Sequence, residues 1–298
     1  MTIKNTKSKF ISVFAVLLFF TLNAKAQELD MLADLEEEEE VLPTIATFKT
    51  TRVINSHSLE TTHKGVLDFR ISHRFGALSG GLYELFGLDQ ASMRMGFDYG
   101  ITDRLSIGIG RSTYEKSLDG FAKYRLLWQT EGVEDMPISL VLVSGLSSNM
   151  LRFQGIGYEM TPERRMNYFH QMIIGRKFSP AYSLQLMPSL VHRNLVATGD
   201  EENTVFALGA AQRLKIGKRF SLNLEYYHLL PDQVHDDVVN SLSIGVDIET
   251  GGHVFQLFFS NSLGFIEKAY IADSRGDFLT GDVYFGFTIS RVFTLVKK

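Results

Sequence analysis

Charged residues of both signs recur at alternate positions along much of the chain, and their types and spacing could do chemistry. Alternate side chains of a β-strand share one face, so strands here would carry an ionic face. It contains Asp68, Arg70, Arg74, Arg94, Asp98, Asp119, Lys123, Arg125, Arg193, Arg213, Glu225, Asp247 and Glu249. Inside a barrel, such residues could line a pore that selects ions or solutes, or pair as salt bridges that fill the interior. A narrow interior favours the salt-bridge network.

Other chemistry has less support in the sequence. His170 and His192 could approach each other across one hairpin, but no serine shares their outward phase, so a lipase-like pair is not expected. Two groups of residues carry side chains that bind cations: Asp232, His235, Asp236 and Asp237 in one loop, and His57, Glu60 and His63 nearer the N-terminus. A solvated acidic loop is the commoner meaning of the first group. We therefore expect no catalytic residue, no metal site and no cofactor.

The elements that position the ionic residues are strands with a period of two. In residues 65–75, GVLDFRISHRF, apolar side chains alternate with ionic ones, and segments of about ten residues repeat this pattern as far as the C-terminus. Recurrence of this kind is typical of a transmembrane β-barrel. A soluble β-sandwich would also alternate. The long, uniform strands, their high number, and a polar phase rich in Gly, Ser, Arg, Asp and Tyr favour the barrel.

The connections predict the topology. Short turns alternate with longer loops, as in outer-membrane barrels, where short turns face the periplasm. We expect an all-β fold, a transmembrane antiparallel up-and-down β-barrel of about twelve strands, or fourteen if residues 266–272 also pair. Residues 44–55 are left out of the barrel, because a thirteenth strand would place one terminus outside.

The chain before the barrel divides into three parts. Residues 1–26 have lysines, a short apolar run and an A-x-A site, which together predict a cleaved secretory signal peptide. Residues 27–43 include five consecutive glutamates and are expected to be a disordered acidic tail. Residues 44–64 form a periplasmic or lumen-inserted segment, and residues 65–298 the barrel. The chain has no cysteine, and its net charge of −4 argues against binding nucleic acid.

Four stretches resemble a known family. They are TFKTTRVINSHSLE (47–60), DFRISHRFG (68–76), FQLFFSNSLGFIEKAYI (255–271) and GFTISRVF (286–293). The chain resembles an uncharacterised family of β-barrel proteins from Bacteroidota, known as a domain of unknown function. The resemblance implies an outer-membrane barrel in a Gram-negative bacterium. It implies no substrate and no functional residues.

The resemblance also bears on the segment outside the barrel. A periplasmic spacer would not need so particular a sequence, so residues 44–64 could be a plug inserted in the lumen. Its candidate residues are Phe48, Lys49, Arg52 and His57. We expect Lys49 and Arg52 to pair with Asp98, Asp247 or Glu249, and deletion of residues 44–56 to raise conductance.

The function expected from these observations is a narrow, charge-lined channel or transporter in the outer membrane for a small hydrophilic solute or ion. The alternative is a sealed barrel that acts as a scaffold, or binds other molecules through its long external loops. The partners expected are outer-membrane lipid, a small hydrophilic solute and a periplasmic partner.

Overall fold

Twelve antiparallel strands form a closed barrel in the computed structural model, which describes residues 41–132, 135–153 and 159–296. The strands are β1 (Val66–Ala77), β2 (Ala91–Gly100), β3 (Leu105–Ser112), β4 (Leu118–Leu127), β5 (Ser139–Ser148), β6 (Met166–Lys177), β7 (Tyr182–Arg193), β8 (Thr204–Lys215), β9 (Phe220–Leu229), β10 (Leu242–Thr250), β11 (His253–Ser260) and β12 (Tyr284–Thr294). Each strand pairs with the next, and β12 pairs with β1. The predicted up-and-down barrel is confirmed.

The barrel wall has an ionic inner face and an apolar outer face. In β4, Asp119, Lys123 and Arg125 are buried, whereas Leu118 and Tyr124 are 50% and 42% exposed. This arrangement reverses that of a soluble sheet, whose apolar face packs inward. It is the arrangement expected where lipid surrounds the outer wall. Within the described ranges, no helix is long and apolar enough to cross a membrane.

The two ends of the barrel differ in their connections. Residues 101–104, 128–138, 178–181, 216–219 and 251–252 connect strands at one end, here called the short-turn end. The connections at the other, long-loop end are residues 78–90, 113–117, 149–165, 194–203, 230–241 and 261–283. β1 begins and β12 ends at the short-turn end, so the residues directly before β1 join the barrel at that end.

The predicted boundary of the acidic tail is wrong at its last residues. Leu42–Pro43 forms a two-residue ladder with Thr130–Glu131, and Thr44 N–H donates to the carbonyl of Gln129 at 2.8 Å. These backbone bonds order the chain where it passes the 128–138 connection. The predicted signal peptide and the remainder of the predicted tail, residues 1–40, lie outside the described residues.

The fourteen-strand alternative is also wrong. Residues 266–272 do not pair with the wall, and Glu267–Ala272 is a short helix, α1, inside the barrel. β11 and β12 already pair with each other on one side and with β10 and β1 on the other. No sheet edge is therefore free to accept a further strand at this place.

Candidate functional site

The interior of the barrel is filled by a hairpin of residues 47–62, here called the plug. Val53 N–H donates to the Ser56 carbonyl at 2.8 Å, and Ser58 N–H donates to the Thr51 carbonyl at 3.0 Å. Arg52 and His57 face each other across the hairpin as a β-bridge. The segment that parity excluded from the wall therefore lies in the lumen, and most of it is buried.

Both legs of the plug start at the short-turn end. On the first leg, the Lys49 ammonium lies 2.8 Å from Glu249, near the end of β10. On the second leg, Thr62 N–H donates to Ser106 Oγ at 2.9 Å, and Lys64 forms a bridge with Gly100. The plug thus enters the barrel and returns through the same end.

The tip of the plug is held by one carboxylate. Glu225 Oε2 accepts from the main-chain N–H groups of Ile54, Asn55 and Ser56 at 3.3, 3.1 and 3.0 Å, and from the Ser56 hydroxyl at 2.6 Å. Asn55 Nδ2 also donates to Ser243 Oγ at 2.9 Å. Hydrogen bonds to a charged acceptor are stronger than neutral ones, so Glu225 is a principal attachment point of the tip.

The side of the plug facing β4 is held by two cations. Lys123 Nζ donates to the carbonyls of Thr51, at 3.1 Å, and Glu60, and Arg125 Nη2 donates to the Leu59 carbonyl at 2.8 Å. Glu60 Oε2 lies 3.6 Å from Arg125. Main-chain carbonyls therefore supply most of the acceptors for these two buried cations.

Towards β1 and β2, the plug contacts wall carboxylates through Thr51. Its hydroxyl donates to Asp98 Oδ2 at 3.0 Å and accepts from Arg70 Nη2 at 2.7 Å. Arg70 also pairs with Asp68 at 3.0 Å. One small hydroxyl thus joins the plug to both signs of wall charge.

A second insert enters from the long-loop end. Residues 262–274, here called the loop insert, include α1 and are largely buried. Arg74 donates to the carbonyls of Ser262 and Gly264, the latter at 2.9 Å, and to Asn55 Oδ1 at 2.6 Å. Arg74 therefore holds the loop insert and the plug together from the wall.

The two inserts meet at an ion pair. Arg52 Nη1 of the plug lies 2.8 Å from Glu267 Oε1 of α1, and His57 Nε2 lies 3.5 Å from the same oxygen. The His57 ring packs edge-on against Phe121, with centroids 4.4 Å apart. Burial, and then the positive charge of Arg52, lower the pKa of His57 well below its ordinary value.

The remaining predicted lumen charges pair locally. Arg94 pairs with Asp119, Arg213 with Glu249 at 3.3 Å, and Arg193 with Glu201 at 2.8 Å. Asp247 accepts from Gln256 Nε2 at 2.9 Å. Of the four predicted plug residues, Phe48 and His57 are buried, and Lys49 pairs with Glu249, a predicted partner. The partners predicted for Arg52 were wrong, because Glu267 reaches it from the opposite end.

A comparison with known protein families covers nearly all of the plug and the barrel wall. A family model described as a membrane-bound beta barrel domain (DUF5777) matches residues 48–293. The chain belongs to this family. Because the match begins at Phe48, the plug is part of the DUF5777 domain.

Solved structures with a similar architecture include porins and outer-membrane channels. The NanC porin is 10% identical, with a TM-score of 0.47, and the match covers 76% of this chain and 98% of that one. The outer membrane channel COG4313 from Pseudomonas putida F1 is 11% identical, with a TM-score of 0.47 and coverage of 79% and 98%. No curated protein matches the sequence.

Several contact residues of this DUF5777 barrel were missed by sequence reasoning. Glu267, Gln185 and Gln256 touch the plug. Gln185 and Gln256 occupy the polar phase of their strands, so strand alternation is a signal that could have identified them. Glu267 lies in a loop, where strand alternation gives no information.

The expectation that no serine shares the outward phase of His170 is wrong. Ser144 does share the outward phase of His170, and its Oγ lies 2.9 Å from His170 Nδ1. The pair lies in an apolar groove beside Leu142, Met172 and Leu208. Among the described residues, no group of three or more His, Asp or Glu side chains could hold a metal ion.

Proposed function

We propose that the protein is an outer-membrane channel for a small hydrophilic solute or ion, closed in this conformation by the plug and the loop insert. Opening requires the plug to withdraw through the short-turn end. The solute then passes between the ionic residues of the wall. The predicted signal peptide, the Bacteroidota source and an outer membrane in a Gram-negative cell belong to the same proposal.

The attachment of the plug is the observation that carries this proposal. Among the described residues, each hydrogen bond between residues 47–62 and a strand involves a side chain, and the main-chain bonds within the plug are its own. The plug can therefore leave without breaking a ladder of the barrel. A hairpin in the wall could not do so, because its main-chain groups would lose their partners.

The direction of withdrawal supports a role for a periplasmic partner. Short turns face the periplasm in outer-membrane barrels, and the legs of the plug emerge at the short-turn end. The acidic segment before residue 41 leads directly into the first leg. A periplasmic protein that holds this segment could pull on the first leg, because the segment and the leg are continuous in the chain.

A reversible cross-link tests the proposal. The chain contains no cysteine, so Asn55→Cys with Ser243→Cys allows a short thiol cross-linker to hold the tip of the plug to β10. In planar bilayers, we expect openings in the reduced protein and none after cross-linking. The single variant Asn55→Cys, treated with the same reagent, should keep its openings. Absence of current in every state, including a variant lacking residues 44–56, would contradict the channel.

The alternative function is a sealed barrel that binds other molecules at its long loops. The observation that favours it is the 3-10 segment Leu78–Gly87 at the long-loop end, where Leu82 and Tyr83 are 80% and 94% exposed. Exposed apolar residues of this kind often belong to interaction surfaces. Conductance separates the two functions, because a sealed barrel carries no current whether the plug is cross-linked or free.

A further inference from the structure

We propose that the wall around the plug is a binding site for amide groups, and that the solute of the channel is a short peptide or another amide-rich molecule. This inference rests on the proposed channel function. In the closed conformation, the main chain of the plug occupies the site and supplies the same chemistry as the solute.

The hydrogen-bond donors of this site are wall side chains that bond main-chain carbonyls of the plug. Lys123 and Arg125 of β4 are 1% and 4% exposed. They donate to the carbonyls of Thr51, Leu59 and Glu60. A carbonyl contact at these positions does not depend on which side chain the plug carries there. Another peptide could therefore make the same contacts.

Two glutamines extend the site across the barrel. Gln185 Nε2 of β7 donates to the His57 carbonyl at 2.8 Å, and its Oε1 accepts from Leu59 N–H at 3.1 Å. Gln256 Nε2 of β11 donates to the Val53 carbonyl at 2.7 Å. The Gln185 amide thus bonds both a carbonyl and an N–H group of the plug backbone, as the backbone of a neighbouring strand does.

The acceptor of the site is Glu225 of β9, which is 1% exposed and binds three consecutive main-chain N–H groups. Its other oxygen, Oε1, has no hydrogen-bond partner among the described residues. The wall thus offers donors for carbonyls on some strands and an acceptor for N–H groups on another. Peptide bonds carry both groups at regular intervals.

Withdrawal of the plug removes the hydrogen-bond partners that the plug supplies to these groups. Arg94 with Asp119, and Arg213 with Glu249, keep each other as partners when the plug leaves. Among the described residues, Lys123 and Glu225 hydrogen-bond only to the plug. Gln185 would keep one contact, from its Nε2 to the Met187 sulfur at 3.0 Å, and sulfur is a weak acceptor. Water hydrates these groups in the open lumen, and a solute that carries both carbonyl and N–H groups replaces the lost contacts better than one that carries only one kind. A simple anion would satisfy Lys123 but be repelled by Glu225.

The test uses a variant that lacks residues 47–62, reconstituted in planar bilayers. The probes are a blocked, uncharged alanine tripeptide (N-acetyl, C-terminal amide) and a neutral disaccharide of similar mass. We expect the peptide to reduce the ion current by occupying the lumen, and the disaccharide to need a much higher concentration. Gln185→Met with Gln256→Met should raise the half-blocking peptide concentration by about tenfold, because each lost hydrogen bond contributes modestly.

The matched control is Gln171→Met. Gln171 is a buried wall glutamine that donates to Ser189 and Tyr227 and not to the plug. The peptide concentration that half-blocks the Gln171→Met variant should therefore stay unchanged. Equal block by peptide and disaccharide, or no effect of the double variant, would overturn the inference while the channel stands. No current in the deletion variant would instead overturn the channel. If that variant fails to fold, Glu267→Gln in the full chain takes its place, because it leaves the buried Arg52 guanidinium without a carboxylate and so favours withdrawal of the plug.

Discussion

The Arg52 guanidinium lies 2.8 Å from the Glu267 carboxylate, and the two residues come from opposite ends of the barrel. Arg52 belongs to the plug, which enters at the short-turn end, and Glu267 to α1 of the loop insert. Both side chains are nearly completely buried. Because charges removed from water require partners, each insert keeps the other in place. We call this pair the latch.

Loss of the latch should open the channel. Glu267→Gln removes the charge that Arg52 faces and leaves a buried guanidinium without a carboxylate, which commonly costs about 3–5 kcal/mol. Part of this cost is avoided when the plug withdraws and Arg52 reaches water. We therefore expect openings at least tenfold more frequent than in the wild type. Single-channel recording in planar bilayers measures the change.

The control for this prediction is Asp237→Asn. Asp237 pairs with Arg275 in the exposed part of the long-loop end, away from the plug. Its neutralisation should leave the opening frequency unchanged. Equal frequencies in Glu267→Gln and the wild type would show that the latch does not determine closure.

The period-two pattern predicted the wall because alternation is a local property of a strand. The inner face of β1 can be identified from residues 68–74 alone, where Asp68, Arg70 and Arg74 share one phase. The seating of the plug was less accessible, because its contacts join distant parts of the chain. Asn55 N–H and Glu225 are 170 residues apart, and Arg52 and Glu267 are 215 residues apart. No local sequence pattern predicts which residue of the wall or the loop insert a given plug residue will contact.

Acidification should also favour the open channel. His57 lies on the plug rather than on a membrane-spanning strand, and its lowered pKa means that the closed state holds it neutral. The groups around it are Glu267, at 3.5 Å, and the cations Arg52, Lys123, Arg94 and Arg70. Burial has the largest effect on its pKa, and the cations act in the same direction.

The sign of the pH effect follows from proton uptake. With the plug withdrawn, His57 titrates near its ordinary pKa of about 6.5. As pH falls below that value, the open state binds a proton that the closed state does not, so closure loses stability by up to about tenfold per pH unit. Opening frequency should rise between pH 7.5 and 5 in the wild type, and His57→Gln should remove most of this rise. A rise of equal size in His57→Gln would assign the effect to other groups.

A glycine of the wall should be needed where the plug leaves the barrel. A methyl group at Gly100 would lie 2.0 Å from the His63 carbonyl oxygen and 2.4 Å from that of Thr62. Both neighbours are main-chain atoms, so Gly100→Ala must displace the second leg of the plug at a cost of about 1–3 kcal/mol. Samples heated to increasing temperatures before gel electrophoresis should therefore lose the band of the folded barrel at a lower temperature than the wild type. Gly251→Ala, which meets nothing within 4 Å, should leave that temperature unchanged.

The outer-wall pair of Ser144 and His170 should not hydrolyse lipid. Their 2.9 Å contact resembles a nucleophile and its base, but no described side chain hydrogen-bonds the second ring nitrogen of His170. The residues also lie opposite each other in the β5–β6 ladder, whose main-chain N–H groups are used in strand pairing, so those groups cannot stabilise an oxyanion. Purified protein in mixed micelles with a fluorogenic phospholipid should show the same background rate as Ser144→Ala. A rate that falls in both Ser144→Ala and His170→Ala would make this surface a catalytic site.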